Sequence, residues 1–141
     1  MKISQLETSR LFLVPSSMKY FEERSSISSD IENTRLMMFL PSTKEETFSY
    51  IKKCETQWKS ENQTLFEFDI LLKEQNNKFI GGISFELLFD NPEIVKKFGN
   101  NCADMGWLLD KNFWNKGFAS ESAKCVLELA KSLGVKKMIA Q

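Results

Sequence analysis

The sequence predicts a single α/β domain in which helices pack on a mixed β-sheet. Its 141 residues, 42% hydrophobic and 12% aromatic, can bury the core of one domain but are too few for two ordinary ones. The hydrophobic pattern indicates the order strand, two helices, three strands, helix, strand. Leu65–Leu72 and Phe79–Leu88 flank a polar turn, which predicts that these two segments pair as an antiparallel hairpin.

The amino-terminal half is predicted to contain one strand and two helices. Arg10–Val14 (RLFLV) is an apolar run that a proline stops, as in many strands. A serine pair can then cap a helix through about Ser26, and the polar stretch to Asn33 is predicted as loop. A Ser-Thr pair before two glutamates marks the start of the second helix, which should end near Ser60. The class of Arg35–Leu40 stays open because this apolar run is short.

The carboxyl-terminal half is predicted to form a strand, a helix and a further strand. Ala103–Leu109 (ADMGWLL) follows a polar excursion over residues 90–101 and has the composition of a strand. Gly134 can end the following helix, and Val135–Ala140 then indicates a strand. The helix is predicted from one apolar stripe at steps of three and four residues: Ala119, Ala123, Val126, Leu127, Ala130 and Leu133.

Composition excludes several classes of function. Lysine plus arginine equals aspartate plus glutamate, so no global field favours nucleic acid or an anionic membrane as a partner. Cys54, Cys102 and Cys125 are odd in number and far apart, which favours reduced thiols in the cytoplasm over a disulfide framework. Without histidine or a close cysteine pair, no metal site is expected. The sequence also lacks an apolar run long enough to span a bilayer and a signal-peptide core.

The glycine before the last helix points to anion binding. Gly117 lets the backbone approach a ligand closely, and the unpaired amides of the first helical turn favour a negative group. Residues 115–120 could therefore bind a phosphate or pyrophosphate. An ordinary turn into an amphipathic helix explains the same glycine, and spacing alone does not decide between the two.

Three longer motifs resemble one family. The segment Trp114–Ala119 (WNKGFA) follows a strand and opens a helix, in the manner of the Q/R-x-x-G-x-G/A loop of the GNAT superfamily of N-acetyltransferases. A tryptophan in the first position departs from the general pattern but is usual in the branch of ribosomal-protein N-terminal acetyltransferases. Glu7–Pro15 (ETSRLFLVP) is similar to that branch's E-T-x-R-L-x-L-R-P signature, and Phe79–Ile83 (FIGGI) resembles its third strand.

The resemblance implies a fold and its extent. We expect a mostly antiparallel central sheet with helices on both faces, lacking the last helix and strands of the family. Residues 1–141 would then form a single acetyltransferase-like domain that is incomplete at its carboxyl terminus. A strand that ends there with an uncovered edge could pair with a second copy, so a homodimer is possible.

The resemblance also implies acetyl-CoA as co-substrate and assigns its contacts. Its pantetheine arm would bind the backbone of Trp107, Leu108 and Leu109 like an added strand. Its pyrophosphate would lie on a second set of residues, at the glycine turn: Asn115, Lys116, Gly117, Phe118, Ala119 and Ser120.

The acceptor amine must lose a proton before it attacks a thioester, and two carboxylates are candidates for the base. Asp104 lies on the strand where the branch commonly places a carboxylate, and Glu86 on the neighbouring strand is second. Each could equally be a polar strand residue without a catalytic role. The general acid is not identified.

Three functions remain open on the sequence alone. The chain could acetylate a primary amine, such as a protein amino terminus or a small amine. It could instead be a truncated, inactive domain that serves as a CoA-binding or interaction module. A phosphate-binding regulatory domain is the third possibility.

Overall fold

The computed structural model describes residues 3–36 and 41–140, and within these ranges it contains a six-stranded sheet and five α-helices. The strands are β1 (Leu6–Glu7), β2 (Leu11–Pro15), β3 (Leu65–Leu72), β4 (Lys78–Leu87), β5 (Cys102–Leu109) and β6 (Lys137–Ala140). The helices are α1 (Phe21–Ser28), α2 (Ile31–Leu36), α3 (Lys44–Lys59), α4 (Pro92–Phe98) and α5 (Phe118–Ser132).

The spatial order of the strands follows the chain from β1 to β6. Strands β1 to β5 pair antiparallel with their neighbours, whereas β5 and β6 pair parallel. The parallel pair follows from the crossover through α5, because a tight hairpin cannot join parallel strands. The predicted mixed, mostly antiparallel sheet and the β3–β4 hairpin are confirmed. Strand β6 is the last in the described sheet, and a homodimer through its edge stays a prediction.

Helices cover both faces of the sheet, as predicted. On one face Val126 and Ala130 of α5 are buried in the same apolar cluster as Ala103 and Met105 of β5. On the opposite face Arg24 of α1 is buried against carboxylates of β3. Since successive strand residues point to opposite faces, the apolar and the charged residues of β3 alternate between these two layers.

Local signals set the ends of the longer helices. The side chain of Thr43 accepts a hydrogen bond from the amide of Glu46, and the Glu46 carboxylate accepts one from the amide of Thr43. This capping box begins α3 where the sequence predicted a start. Gly134, with φ +96°, follows α5 and allows the chain to turn into β6.

Three sequence predictions were wrong. The polar excursion over residues 90–101 contains helix α4, so the predicted order of elements lacks both α2 and α4. The stretch to Asn33 is not loop, because α1 continues to Ser28 and α2 begins at Ile31. In α5, Leu127 is 36% exposed, and the residues that face the sheet most fully recur every four positions. These are Phe118, Ser122, Val126 and Ala130. Most of the undecided segment Arg35–Leu40 lies outside the described residues.

Candidate active site

The glycine turn leads directly into α5. A 3₁₀ turn (Lys111–Phe113) follows β5, and the loop after it contains two left-handed residues, Asn115 with φ 61° and Gly117 with φ 83°. Phe113 and Phe118 are buried on either side of this loop, with ring centroids 6.3 Å apart. The apolar anchors hold the loop to the core while its backbone stays at the surface.

The first turn of α5 has no side-chain cap from the described residues. The amides at the start of a helix lack intrahelical partners and carry the positive end of the helix dipole. An anion such as a diphosphate fits this end of the helix chemically. The structure brings together the six residues assigned to the pyrophosphate: Asn115, Lys116 and Gly117 in the loop, and Phe118, Ala119 and Ser120 in the first turn of α5.

The outer edge of β5 is open beside this turn. Its ladder with β6 spans Cys102–Met105, and no strand of the described chain continues that ladder past Met105. The amide of Asp110 donates to the carbonyl of Ile80, so even-numbered residues of β5 direct their backbone groups towards β4. Trp107 therefore presents its backbone N–H and C=O to the open edge, and its side chain is 41% exposed.

The other two residues assigned to the pantetheine arm are placed differently. Leu108 directs its backbone groups towards β4, where it pairs with Gly82. The carbonyl of Leu109 points to the open side but already accepts hydrogen bonds from Asn33 Nδ2 at 2.9 Å and Trp114 Nε1 at 2.8 Å. Leu108 and Leu109 together therefore offer fewer free backbone groups to a ligand than Trp107 does alone.

Asp104 and Glu86 lie directly opposite each other on β5 and β4. The Oδ1 atom of Asp104 is buried without a hydrogen-bond partner among the described residues. Burial and, to a smaller extent, the nearby charge of Glu86 raise the pKa of Asp104 above its usual value. A carboxylate with a raised pKa is a better proton acceptor for an ammonium group than an ordinary surface aspartate.

A pocket of about 490 Å³ opens on the sheet face that carries α1 and α3. Its floor includes Ser84 and Gly106, which are paired across β4 and β5. Its walls come from α1, α2, α3 and the segment before α3, and they include hydroxyl groups of Ser28, Thr34, Ser42, Thr47 and Tyr50. Trp107 and Leu108 also line this pocket, so it lies against the strand with the open edge.

The deepest wall of the pocket is a buried ionic cluster. Arg24 Nη2 donates to Glu67 Oε2 at 3.2 Å and to Asp69 Oδ1 at 2.9 Å, and the hydroxyl of Tyr50 donates to Glu67. Burial lowers the pKa of Arg24, but the two carboxylates outweigh it and raise that pKa overall. Burial raises the pKa of Asp69 to about 6, against the opposing effect of Arg24. Since both oxygens of Glu67 are already bonded, it is a weaker candidate for a base than Asp104.

Asp104 and Glu86 do not line this pocket. They form the next residue pair along β4 and β5 on the same face, about 7 Å from Ser84 and Gly106 at two residues of strand rise. A proton could cross that distance through one or two water molecules.

Sequence analysis missed two groups of residues at this site. Arg24 and Glu67 are 43 positions apart, and the available signal was a pair of charges inside the otherwise apolar strand LFEFDILL. Arg10 and Glu121 form an ion pair across 111 positions. Arg10 lies in the amino-terminal motif and Glu121 lies two residues after the glycine motif, but nothing in the sequence shows that the two touch.

Two further classes of site find no support in the described residues. None of the helices in the described ranges is long and apolar enough to cross a bilayer. Within the same ranges, no group of three or more Cys, Asp or Glu side chains is arranged to hold a metal ion.

Comparison with known proteins identifies relatives of the whole described fold. A family model described as an acetyltransferase (GNAT) domain matches residues 10–141. YnaD, an uncharacterised N-acetyltransferase of Bacillus subtilis (strain 168), is 25% identical over 124 residues, a match that covers 85% of this chain. The chain spans 64% of the length of that curated relative.

Solved structures share the fold at lower sequence identity. A GNAT-family acetyltransferase from Bacillus anthracis has a TM-score of 0.70 and 23% identity. The match covers 96% of this chain and 72% of the Bacillus anthracis chain. RimL, a ribosomal L7/L12 alpha-N-protein acetyltransferase in complex with coenzyme A, has a TM-score of 0.73 and 15% identity. The match covers 97% of this chain and 73% of the RimL chain.

The family match and the sheet order agree with the resemblance inferred from the three sequence motifs. The matched range contains the glycine turn, the open-edged strand β5 and the pocket on the opposite face. The chain therefore belongs to the GNAT family of acetyltransferases.

Proposed function

We propose that this chain transfers an acetyl group from acetyl-CoA to a primary amine, either a protein amino terminus or a small amine. In this proposal the neutral amine attacks the thioester directly. One observation carries the proposal: the uncapped start of α5 adjoins the open edge of β5, and the same strand lines a polar pocket. A diphosphate, an extended amide chain and an amine would each meet complementary groups there.

Acetyl-CoA supplies the activated acyl group when bound. The first amides of α5 would bind its diphosphate, because they are uncapped and lie at the positive end of the helix dipole. Trp107 would hold the pantetheine arm with its free backbone N–H and C=O, and the amide of Leu109 would add to this strand-like pairing. These contacts are made by backbone groups, so the family's side chains can vary there.

The acceptor would enter the pocket on the α1–α3 side. Glu46 and Glu67 outnumber the one arginine in its lining, and this negative balance favours an ammonium group. The hydroxyl groups around it favour a hydrophilic acceptor. Residues 89–101 do not line this pocket.

Asp104 would remove the proton from the acceptor ammonium through water, with Glu86 beside it. The raised pKa of Asp104 and its unpartnered oxygen support this role. The neutral amine would then react, and the base would return its proton to solvent or to the departing thiolate.

Calorimetric titration with acetyl-CoA tests the cofactor site. Gly117→Glu places bulk and a negative charge at the turn and should abolish binding. Gly99→Glu is the matched control, because Gly99 also has a positive φ of 96° but no atom within 4 Å of an added Cβ. Binding by the wild type and the control, with loss in Gly117→Glu, would support the proposal. Equal binding by all three would contradict it.

A turnover assay separates an active acetyltransferase from a CoA-binding module. Release of free CoA thiol in the presence of a panel of peptide and small amines would establish an enzyme. Tight binding of acetyl-CoA without release for any amine would favour a CoA-binding module. The three free cysteines support a cytoplasmic location for either function.

A further inference from the structure

The segment before β2 and the first turn of α5 are joined by one arginine. Arg10 lies next to the start of β2, and Glu121 lies in the first turn of α5. Arg10 Nε is 2.6 Å from Glu121 Oε1, and the backbone amide of Arg10 donates to Glu121 Oε2 at 3.0 Å. The hydroxyl of Thr8 also donates to Glu121 Oε2. Both oxygens of this carboxylate are therefore bonded from the amino-terminal segment.

These contacts keep Glu121 ionised. Burial raises its pKa, but the hydrogen bonds from Thr8 and Arg10 outweigh burial and lower the pKa below the usual value. A carboxylate at this position favours the helix dipole but would repel a diphosphate bound at the same helix end. The positive charge of Arg10 lies next to the Glu121 carboxylate and offsets this repulsion.

The other end of the Arg10 guanidinium contacts three successive residues of the turn. Nη1 donates to the carbonyl oxygen of Lys116 at 3.0 Å. A Cβ added to Gly117 would lie 3.2 Å from Nη2, so the guanidinium passes close to that glycine. The guanidinium also lies over the ring of Phe118, with Cζ 4.3 Å from the centroid.

The contact to Lys116 is the one that acts on backbone conformation. Gly117 begins α5 in the left-handed region, which fixes the direction of the peptide group before it. Because the peptide bond is planar and trans, holding the Lys116 carbonyl towards Arg10 directs the N–H of Gly117 away from Arg10. Arginine places its separate donors in one rigid plane, so Nε and Nη1 can hold the carboxylate and the carbonyl in fixed directions, whereas the single ammonium of lysine has no such geometry.

We propose that Arg10 is a positioning residue that holds the 115–117 turn in its anion-binding conformation and neutralises Glu121 beside it. This inference rests on the proposed acetyl-CoA site for its functional meaning. It gives the Arg-Leu of the amino-terminal motif a task at the glycine loop, and it explains why the two motifs occur together in one chain.

Hydrogen exchange of the free protein tests the positioning without any ligand. In Arg10→Gln we expect the amide of Glu121, which donates to the carbonyl of Gly117 at 3.0 Å, to exchange about tenfold faster, while the amides of β3 stay within about twofold of the wild type. Arg10→Lys should restore the charge opposite Glu121 but leave exchange at the turn fast. Lys44→Gln, which breaks the exposed pair with Glu22, is the matched control and should change neither region.

Unchanged exchange of the Glu121 amide in Arg10→Gln would overturn the inference. Uniformly faster exchange throughout the chain would also overturn it, because Arg10 would then only stabilise the fold. Restoration of slow exchange by Arg10→Lys would show that charge alone suffices and would equally count against positioning of the carbonyl.

Binding of two ligands then tests the functional part. Arg10→Gln should weaken acetyl-CoA about tenfold but change the affinity for acetyl-pantetheine, which lacks the diphosphate, by less than about twofold. Equal losses for both ligands would contradict a role at the diphosphate turn. If the turn loosens in Arg10→Gln but the wild type binds neither ligand, the positioning stands and the proposed cofactor site fails.

Discussion

At the scale of single residues, the strand register decides which candidate base is suitable. Asp104 was chosen from the family resemblance, and the register places it opposite the second candidate, Glu86. The buried Oδ1 atom without a partner and the raised pKa could not be predicted from sequence, because both depend on what packs around β5. The sequence therefore predicted which carboxylate to consider as the base, but not the burial and the raised pKa of that carboxylate.

Asp104→Asn should lower kcat/KM for the amine by about 10² to 10⁴, the usual contribution of a general base. The base must be deprotonated, so kcat/KM of the wild type should rise with pH through the raised pKa of Asp104. That acidic limb should be absent in the variant. A pH profile of initial rates checks both, with Glu93→Gln on α4 as a control that should leave the profile unchanged.

Gly82 is a second position where the environment of a single residue has a testable effect, because an added Cβ atom would be too close to its neighbours. A Cβ there would lie 2.3 Å from Arg24 Nη2 and 2.7 Å from Glu67 Oε2. Since Arg24 is held by two carboxylates, it cannot move away cheaply. Gly82→Ala should therefore lower the free energy of unfolding by about 1–3 kcal/mol.

The matched control for Gly82 lies across the same pocket. A Cβ on Gly106 would be 3.7 Å from Ser84 Oγ, an ordinary contact. Chemical denaturation should give Gly106→Ala a much smaller loss than Gly82→Ala. Equal losses in the two variants would show that the ionic cluster does not restrict Gly82.

At the scale of elements, a local cap was not enough for a helix to be predicted. Helix α4 was treated as a polar excursion although the side chain of Asn91 caps it and Pro92 lies in its first turn. The start of α3 was predicted because both halves of its capping box lie within four residues. Helix α2 was missed although the side chain of Asp30 accepts hydrogen bonds from the amides of Glu32 and Asn33, because the helix has only six residues and is also anchored by distant contacts. Asn33 bonds the Leu109 carbonyl and the Lys111 amide, 76 and 78 positions away.

Thr43→Ala removes the α3 cap and should cost about 1 kcal/mol of unfolding free energy. Thr56→Ala on the same helix is the control, because Thr56 bonds only the Lys52 carbonyl within the helix and alanine is a good helix former. Urea unfolding of both variants measures the difference. A Thr56 variant as destabilised as the Thr43 variant would contradict a role for the cap.

At the scale of the whole molecule, a buried guanidinium links the α1 layer to the sheet. Arg24 is 5% exposed and contacts both Glu67 and Asp69 in β3. The alternation of apolar and charged residues in β3 is typical of a strand with one solvated face, but both of its faces are buried. Sequence predicted the strand correctly and could not show that α1 would cover its charged face.

Arg24→Met should destabilise the fold by about 3–5 kcal/mol at pH 8, because it leaves two buried carboxylates without a partner. Without the guanidinium, the folded-state pKa of Asp69, which burial already raises to about 6, rises further above its unfolded value. A raised carboxyl pKa means that stability is lost as pH increases, so the loss should be smaller at pH 5. Unfolding at both pH values checks this, and exposed Arg35→Met should cost less than about 0.5 kcal/mol at either.

The 111-residue separation between Arg10 and Glu121 also has a consequence for the order of folding. Neighbouring strands from β1 to β5 can pair as they appear, since their order in space is their order in the chain. The contact between Arg10 and the glycine turn must wait until α5 has formed and docked. A nascent chain would thus have strands β1 to β5 before it could bind a diphosphate, and ligand binding during synthesis would report that the chain has folded as far as α5.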